Sequence, residues 1–199
     1  MKYSDPRKLY DALKEKATVV AVTKEHTWEE VSWIYEAGCR DFGENRVQEA
    51  LTKQSQAPPD VRWHLIGTLQ KNKVTKAVHN FALIHSVDSL ELAQKISQQE
   101  VPARILLQVN IAHQHGFTPE ALCNEFAALK ALPHLSIEGL MTMAPNTPDP
   151  LPIRACFQEV RRLRDELGLK ELSMGMSSDY EIALDEGATI LRIGTLFFG

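Results

Sequence analysis

The stretch from Thr18 to His26 reads TVVAVTKEH, an apolar, β-branched run that ends in Thr23 and Lys24. A lysine where a buried strand emerges is ordinarily a solvated end. An amine placed there can also form a Schiff base with a carbonyl, because burial lowers a lysine's proton affinity and frees its lone pair. Two further segments carry groups suited to an anion. In Gly175-Met176-Ser177-Ser178-Asp179 a serine stands where a loop enters a helix, with Ser178 and Asp179 as cap candidates. Free N–H groups and the helix dipole favour negative charge at such a point. In Arg192-Ile193-Gly194-Thr195 the glycine allows close backbone approach and a hydroxyl stands beside it. Taken alone, Ser177 is a plain helix cap and Gly194 a tight turn. Taken with Lys24, they outline a site for a phosphorylated aldehyde, held by its phosphate so that its carbonyl reaches the amine.

The elements that must bring these residues together follow from periodicity. Short runs rich in Val, Ile, Leu and Phe alternate with longer stretches of helical period. Strands are expected at 18–24, 39–43, 62–67, 82–87, 104–110, 136–142, 171–176 and 189–194. Helix starts are marked by Thr27-Trp28-Glu29-Glu30 as a capping box, by Asp88-Ser89, and by Thr118-Pro119-Glu120, while Gly38 and Gly187 close two helices. Strands separated by long crossovers must pair in parallel, and both faces are then covered, so the runs are continuously apolar. A closed (β/α)8 TIM-like barrel is the economical solution, with an open doubly wound sheet as the alternative. The absence of a GxGxxG after the first strand weakens the dinucleotide-binding version of that alternative. No linker or repeat divides the chain, so residues 1–199 are expected to form a single domain. The residues after strand eight leave no room for an eighth helix, and the N-terminal helix, 5–16, is expected to complete the outer ring in its place. Chemistry in such a barrel collects at the C-terminal strand ends, and phosphate sites often follow strands seven and eight. In a closed barrel strand eight pairs with strand seven on one side and with strand one, which carries Lys24, on the other.

Composition narrows the function classes. Across 199 residues, 44% hydrophobic and 24% charged residues describe an ordinary globular protein. A net charge of −4 without a basic block argues against nucleic acid or an anionic membrane as partner. The longest apolar runs are too short to span a bilayer, and the polar N-terminus is not a signal peptide, so a cytoplasmic location is expected. Cys39, Cys123 and Cys156 form no CxxC pair, and neither a zinc site nor a disulfide framework is supported. His113-x-His115 is the one ligand-like pair; without Cys, Asp or Glu nearby, no metal is expected there.

The segments VVAVTK, FGENRVQE, WHLIGTLQKNK, IHSVDS, LLQVN, GLMTM, LSMGMSSDYEIALDEGATILRIGT and FFG resemble the pyridoxal phosphate homeostasis family (the YggS/PROSC proteins), relatives of the N-terminal barrel of bacterial alanine racemase. The resemblance runs from about Thr18 to Gly199. It implies a pyridoxal 5'-phosphate (PLP) aldimine on Lys24, with Ser177, Gly194 and Thr195 at the phosphate. It also implies that Arg192 faces the pyridine nitrogen, that Asn45 and His64 line the pocket, and that His85 and Met141 pack behind it. The segment after strand five, Asn110-Ile-Ala-His-Gln-His-Gly-Phe-Thr-Pro, departs from the family in being shorter and lacking its lysine.

An arginine beside the ring nitrogen disfavours its protonation and weakens the cofactor as an electron sink. Racemases of this fold type add a second domain whose tyrosine serves as the opposite acid/base, and the 199 residues contain no such domain. The expected role is therefore non-catalytic: holding PLP as a Lys24 aldimine and buffering or delivering it as a monomer, with PLP-dependent apo-enzymes as possible recipients. The competing readings are a PLP-dependent racemase or lyase of low activity, and a cofactor-free Schiff-base aldolase or phosphosugar isomerase using Lys24 or Glu44.

Overall fold

A computed structural model describes residues 5–111 and 115–199. The strands are β1 (Thr18–Val22), β2 (Asp41–Glu44), β3 (Arg62–Leu65), β4 (Leu83–Val87), β5 (Ala103–Gln108), β6 (Leu135–Met141), β7 (Glu171–Ser173) and β8 (Ile190–Ile193). They close into a barrel in chain order, each parallel to the next, and β8 returns to β1 through Thr18↔Ile190 to Ala21↔Ile193. The helices between them are α2 (Trp28–Glu36), α3 (Val47–Gln54), α4 (Val74–Asn80), α5 (Leu90–Ser97), α6 (Pro119–Lys130), α7 (Pro150–Glu166) and α8 (Tyr180–Asp185). The closed (β/α)8 barrel is the expected architecture, and the open sheet is not formed.

Local chemistry sets the helix starts. Thr27 and Glu30 form a reciprocal capping box, Ser89 and Thr118 accept from the backbone at their helix starts, and Pro119 opens α6. Asp179 departs from this pattern. It precedes α8 without capping it, and its carboxylate instead accepts the Met176 N–H at 2.6 Å.

The N-terminal helix α1 (Pro6–Lys14) buries Leu9, Tyr10 and Leu13. Leu13 and Lys16 share a cleft with Tyr180 and Leu184 of the α8 region, while Arg7 stacks over Trp33 of α2. So α1 lies between the last crossover helix and the first, as expected. The expectation that no helix follows strand eight is corrected: Thr195–Phe198 form a single turn, α9. Its Phe197 packs edge-on against Tyr10 and Trp33. An aromatic TLFF run reads equally well as strand, and here these tertiary contacts decide for the helix.

The registers define the inside of the barrel. Val20 stands beside Arg192, Gly43 beside His64, His64 beside Leu83, and Met141 beside Ser173, which neighbours Ile190. Residues side by side in a parallel pair share a face, and the strand period is two. The interior therefore holds Val20, Leu83, Leu106, Met141 and Ile190, which form their own buried cluster. The same face carries Asp41, His64, His85, Ser173 and Arg192, all buried.

Candidate functional site

A cavity of 770 Å³ opens over the C-terminal ends of the strands. Lys24, Asn45, Ser177, Arg192, Gly194 and Thr195 all line it, so six of the seven residues singled out from sequence converge on one space. Ile66, Met143, Met176 and Leu196 supply apolar wall, and Glu25, His26 and Ser178 add polar groups that the sequence did not single out. Volume and lining suit a ligand of cofactor size.

Lys24 stands two residues past the end of β1, in a strained turn that begins at Thr23. Glu25 has φ +67°, the left-handed region that costs a non-glycine residue about 1 kcal/mol. The turn is closed by the His26 N–H donating to the Thr23 carbonyl at 3.2 Å. Lys24 is exposed at the cavity wall.

Ser177 accepts the Leu196 N–H at 3.2 Å, tying the loop after β7 to the start of α9. Gly194 passes close beneath Val22, where an added Cβ would lie 3.2 Å from the Val22 carbonyl oxygen. A side chain there would push the two strand ends apart and displace the Thr195 hydroxyl.

Arg192 is buried at the cavity floor. Its two terminal nitrogens donate to Ser173 Oγ at 2.7 Å and to the Thr142 carbonyl at 2.9 Å. Burial lowers its pKa to about 10, against the pull of the Asp179 carboxylate. Asp179 in turn is pushed upward by its own burial, opposed by the Met176 N–H and by Arg192.

His64 is the exception. It does not line the cavity but lies one layer deeper, 5% exposed, with Nδ1 2.9 Å from His85 Nε2 and Nε2 2.9 Å from Asp41 Oδ1. The expected pocket contact is replaced by a place in the barrel interior. His85 does lie behind the pocket, fully buried and 2.8 Å from Ser173 Oγ through Nδ1. Glu44 is a second correction. It points out of the barrel into a buried pair with Lys53 of α3, so it cannot serve as a base in the cavity. His113 lies outside the described residues, and no cluster able to hold a metal ion exists among those described.

Asp41 gives the interior a measurable acid limit. Burial pushes its pKa up, but the bonds to His64 and to Arg62, at 2.7 and 2.5 Å, outweigh it and hold the value at about 2, from an ordinary 3.8. A folded-state pKa depressed in this way contributes stability that is fully present above about pH 4 and lost as the pH falls toward 2. The contribution is about 2 kcal/mol. Urea unfolding across this range should show a steeper acid loss for the wild type than for Asp41→Asn. Parallel profiles would remove this assignment.

The family model described as alanine racemase, N-terminal domain, matches residues 6–199. The chain is 42% identical over 198 residues to the pyridoxal phosphate homeostasis protein of Pseudomonas aeruginosa, covering 94% of this chain and 86% of that one. It is 40% identical over 197 residues to the protein of the same name from Aquifex aeolicus, with coverage of 92% and 86%. The chain belongs to the pyridoxal phosphate homeostasis family. The structure of PipY from Synechococcus elongatus with PLP bound superposes with a TM-score of 0.93 at 39% identity, covering 98% of this chain and 100% of PipY. Alanine racemase of Clostridium difficile matches with a TM-score of 0.81 at 18% identity and is covered over only 56% of its length, which shows a shared fold and nothing more.

Proposed function

We propose that the protein, residues 1–199 acting as one barrel and as a monomer, binds PLP through Lys24 and buffers or delivers it without turning over an amino acid. One observation carries the reading: an amine, a buried guanidinium and two hydroxyls line one cavity. The residues fit the group. Gly194 leaves room for close approach, Ser177 and Thr195 offer hydroxyls to the phosphate, and Met143, Met176 and Ile66 offer apolar surface to the ring. When bound, PLP would supply an aldehyde that, with Ser177 and Thr195 at its phosphate, Lys24 could hold through an exchangeable covalent link. Release to PLP-dependent apo-enzymes would follow that route. The names of the relatives and the PLP held by PipY agree with this reading.

The same cavity disfavours a racemase. Arg192 keeps positive charge where a protonated ring nitrogen would have to stand. The other ionisable groups on the wall, Glu25 and His26, sit on the same turn as Lys24, and no tyrosine lines the cavity among the described residues. Among those residues no helix is long and apolar enough to cross a membrane.

Titrating purified protein with PLP should produce a saturable visible absorption band, and pyridoxal lacking the phosphate should produce it only at much higher concentration. The loaded protein should not racemise or cleave free amino acids at rates above those of PLP in solution. Absence of the band, or robust turnover, would overturn the proposal. A colourless protein trapped by borohydride only after a sugar phosphate is added would point to the cofactor-free alternative.

A further inference from the structure

Beneath the cavity floor the barrel interior is crossed by a continuous polar chain. It runs from Arg192 to Ser173 Oγ at 2.7 Å, from Ser173 to His85 Nδ1 at 2.8 Å, and from His85 Nε2 to His64 Nδ1 at 2.9 Å. From His64 Nε2 it reaches Asp41 Oδ1 at 2.9 Å, and Arg62 clamps the Asp41 carboxylate from the other side with two bonds. Five strands contribute, β8, β7, β4, β3 and β2, and every linking side chain is buried. A polar path through the middle of a barrel is costly unless each member is satisfied, and here each is.

The donors allow one polarity. Arg192 can only donate, so Ser173 Oγ accepts from it and its own single proton needs another acceptor. Among the described residues His85 Nδ1 is the one acceptor bonded to it, so His85 carries its proton on Nε2. That proton goes to His64 Nδ1, and His64 gives its Nε2 proton to the Asp41 carboxylate. Burial holds the pKa of His85 well below its ordinary value, so it stays neutral and cannot donate from both nitrogens. All protons therefore point from the guanidinium toward the carboxylate.

We propose that Asp41 is a positioning residue for Arg192, acting through His64, His85 and Ser173 to fix the orientation and temper the charge that the guanidinium presents to the cavity. A buried arginine usually sits against a carboxylate, whereas the guanidinium here bonds a neutral hydroxyl and a neutral carbonyl. Asp179 is the other carboxylate acting on Arg192, and it spends an oxygen on the Met176 N–H. The relay gives the cation a second, remote counter-charge while leaving its ring-facing side without an anion. The proposal rests on the PLP reading in one respect only, that the group meeting Arg192 is the cofactor ring.

Two measurements test it. Nitrogen-15 spectra of the cofactor-free protein should show His64 and His85 both protonated at Nε2 and bare at Nδ1 at neutral pH. A His85 proton on Nδ1 would overturn the polarity, whether or not the protein binds PLP. In the PLP-loaded protein, Asp41→Asn should make Arg192 the stronger cation and lower the apparent pKa of the visible band. The expected shift is about half to one pH unit, the scale for a unit charge several hydrogen bonds away at an effective dielectric of about 20. Ser173→Ala cuts the relay while leaving Asp41 charged, and should shift the band the same way. Asp41→Asn in the Ser173→Ala background should then shift the band less than it does in the wild type, the remainder being the carboxylate's through-space field. Additive shifts, or none in either single variant, would overturn the relay. Failure of the wild type to form the band would instead remove the PLP reading and leave the tautomer result standing.

Discussion

Lys24→Ala protein, incubated with PLP and reduced with borohydride, is expected to carry no covalent pyridoxyl group, whereas the wild type should gain one equivalent mapped to the peptide containing residue 24. The loss should be complete because Lys24 is the only amine among the described residues that line the cavity. Lys53, the next lysine close to the same strand ends, bonds Glu44 and the Thr23 carbonyl and faces away from the barrel interior. Removal of Lys24 should not unfold the protein, since its side chain is exposed at the wall. The variant should still bind PLP weakly and reversibly through Ser177, Thr195 and Arg192, seen as a free-aldehyde spectrum that dialysis removes. An equivalent of adduct in the variant, mapped anywhere in the cavity, would sink the assignment of Lys24.

How far such a site can be read from sequence is decided by depth. The barrel was legible because its strands are continuously apolar and its helices are punctuated by Thr27, Ser89, Thr118, Gly38 and Gly187. Lys24, Ser177, Gly194 and Thr195 could be picked out because each lies just past a strand end, whereas Asn45 and the role of Arg192 came from the family resemblance; the structure adds that all six line one cavity. His64 does not, although WHLIG places it on a strand. It lies two residues before Ile66, so it shares the inward face but stands one layer lower. The layer depends on strand stagger, which a single sequence does not print. The polar chain left a faint signal of the same kind, since Asp41, His85 and Ser173 are polar residues at inward positions of otherwise apolar strands. Glu44 misled for the opposite reason. It ends β2 beside Asn45, and one step along a strand turns a side chain from the cavity to the helices.

That outward face holds the larger stability prediction. Lys53 Nζ donates to the Thr23 carbonyl at 2.6 Å and to Glu44 Oε1, and the Thr23 hydroxyl donates to the same oxygen at 2.6 Å. The lysine and glutamate side chains are only 8% and 0% exposed, and Glu44 Oε2 has no partner among the described residues. Lys53→Met keeps the volume of the stem but leaves a buried carboxylate without its cation. Such a change costs about 3–5 kcal/mol, or roughly 10 °C in Tm for a chain of this size. Lys53→Met combined with Glu44→Gln should lose less than Lys53→Met alone, because the double variant leaves no orphaned charge. A functional consequence follows from the shared carbonyl. Thr23 precedes Lys24, and its carbonyl also accepts the His26 N–H that closes the strained turn at Glu25. Loss of the Lys53 bond should loosen that turn and slow the trapping of PLP at Lys24 below the unfolding transition. Thermal unfolding and borohydride trapping of the two variants, run together, decide it. If the double variant were as unstable as the single one, the orphaned Glu44 charge would not be the source of the loss.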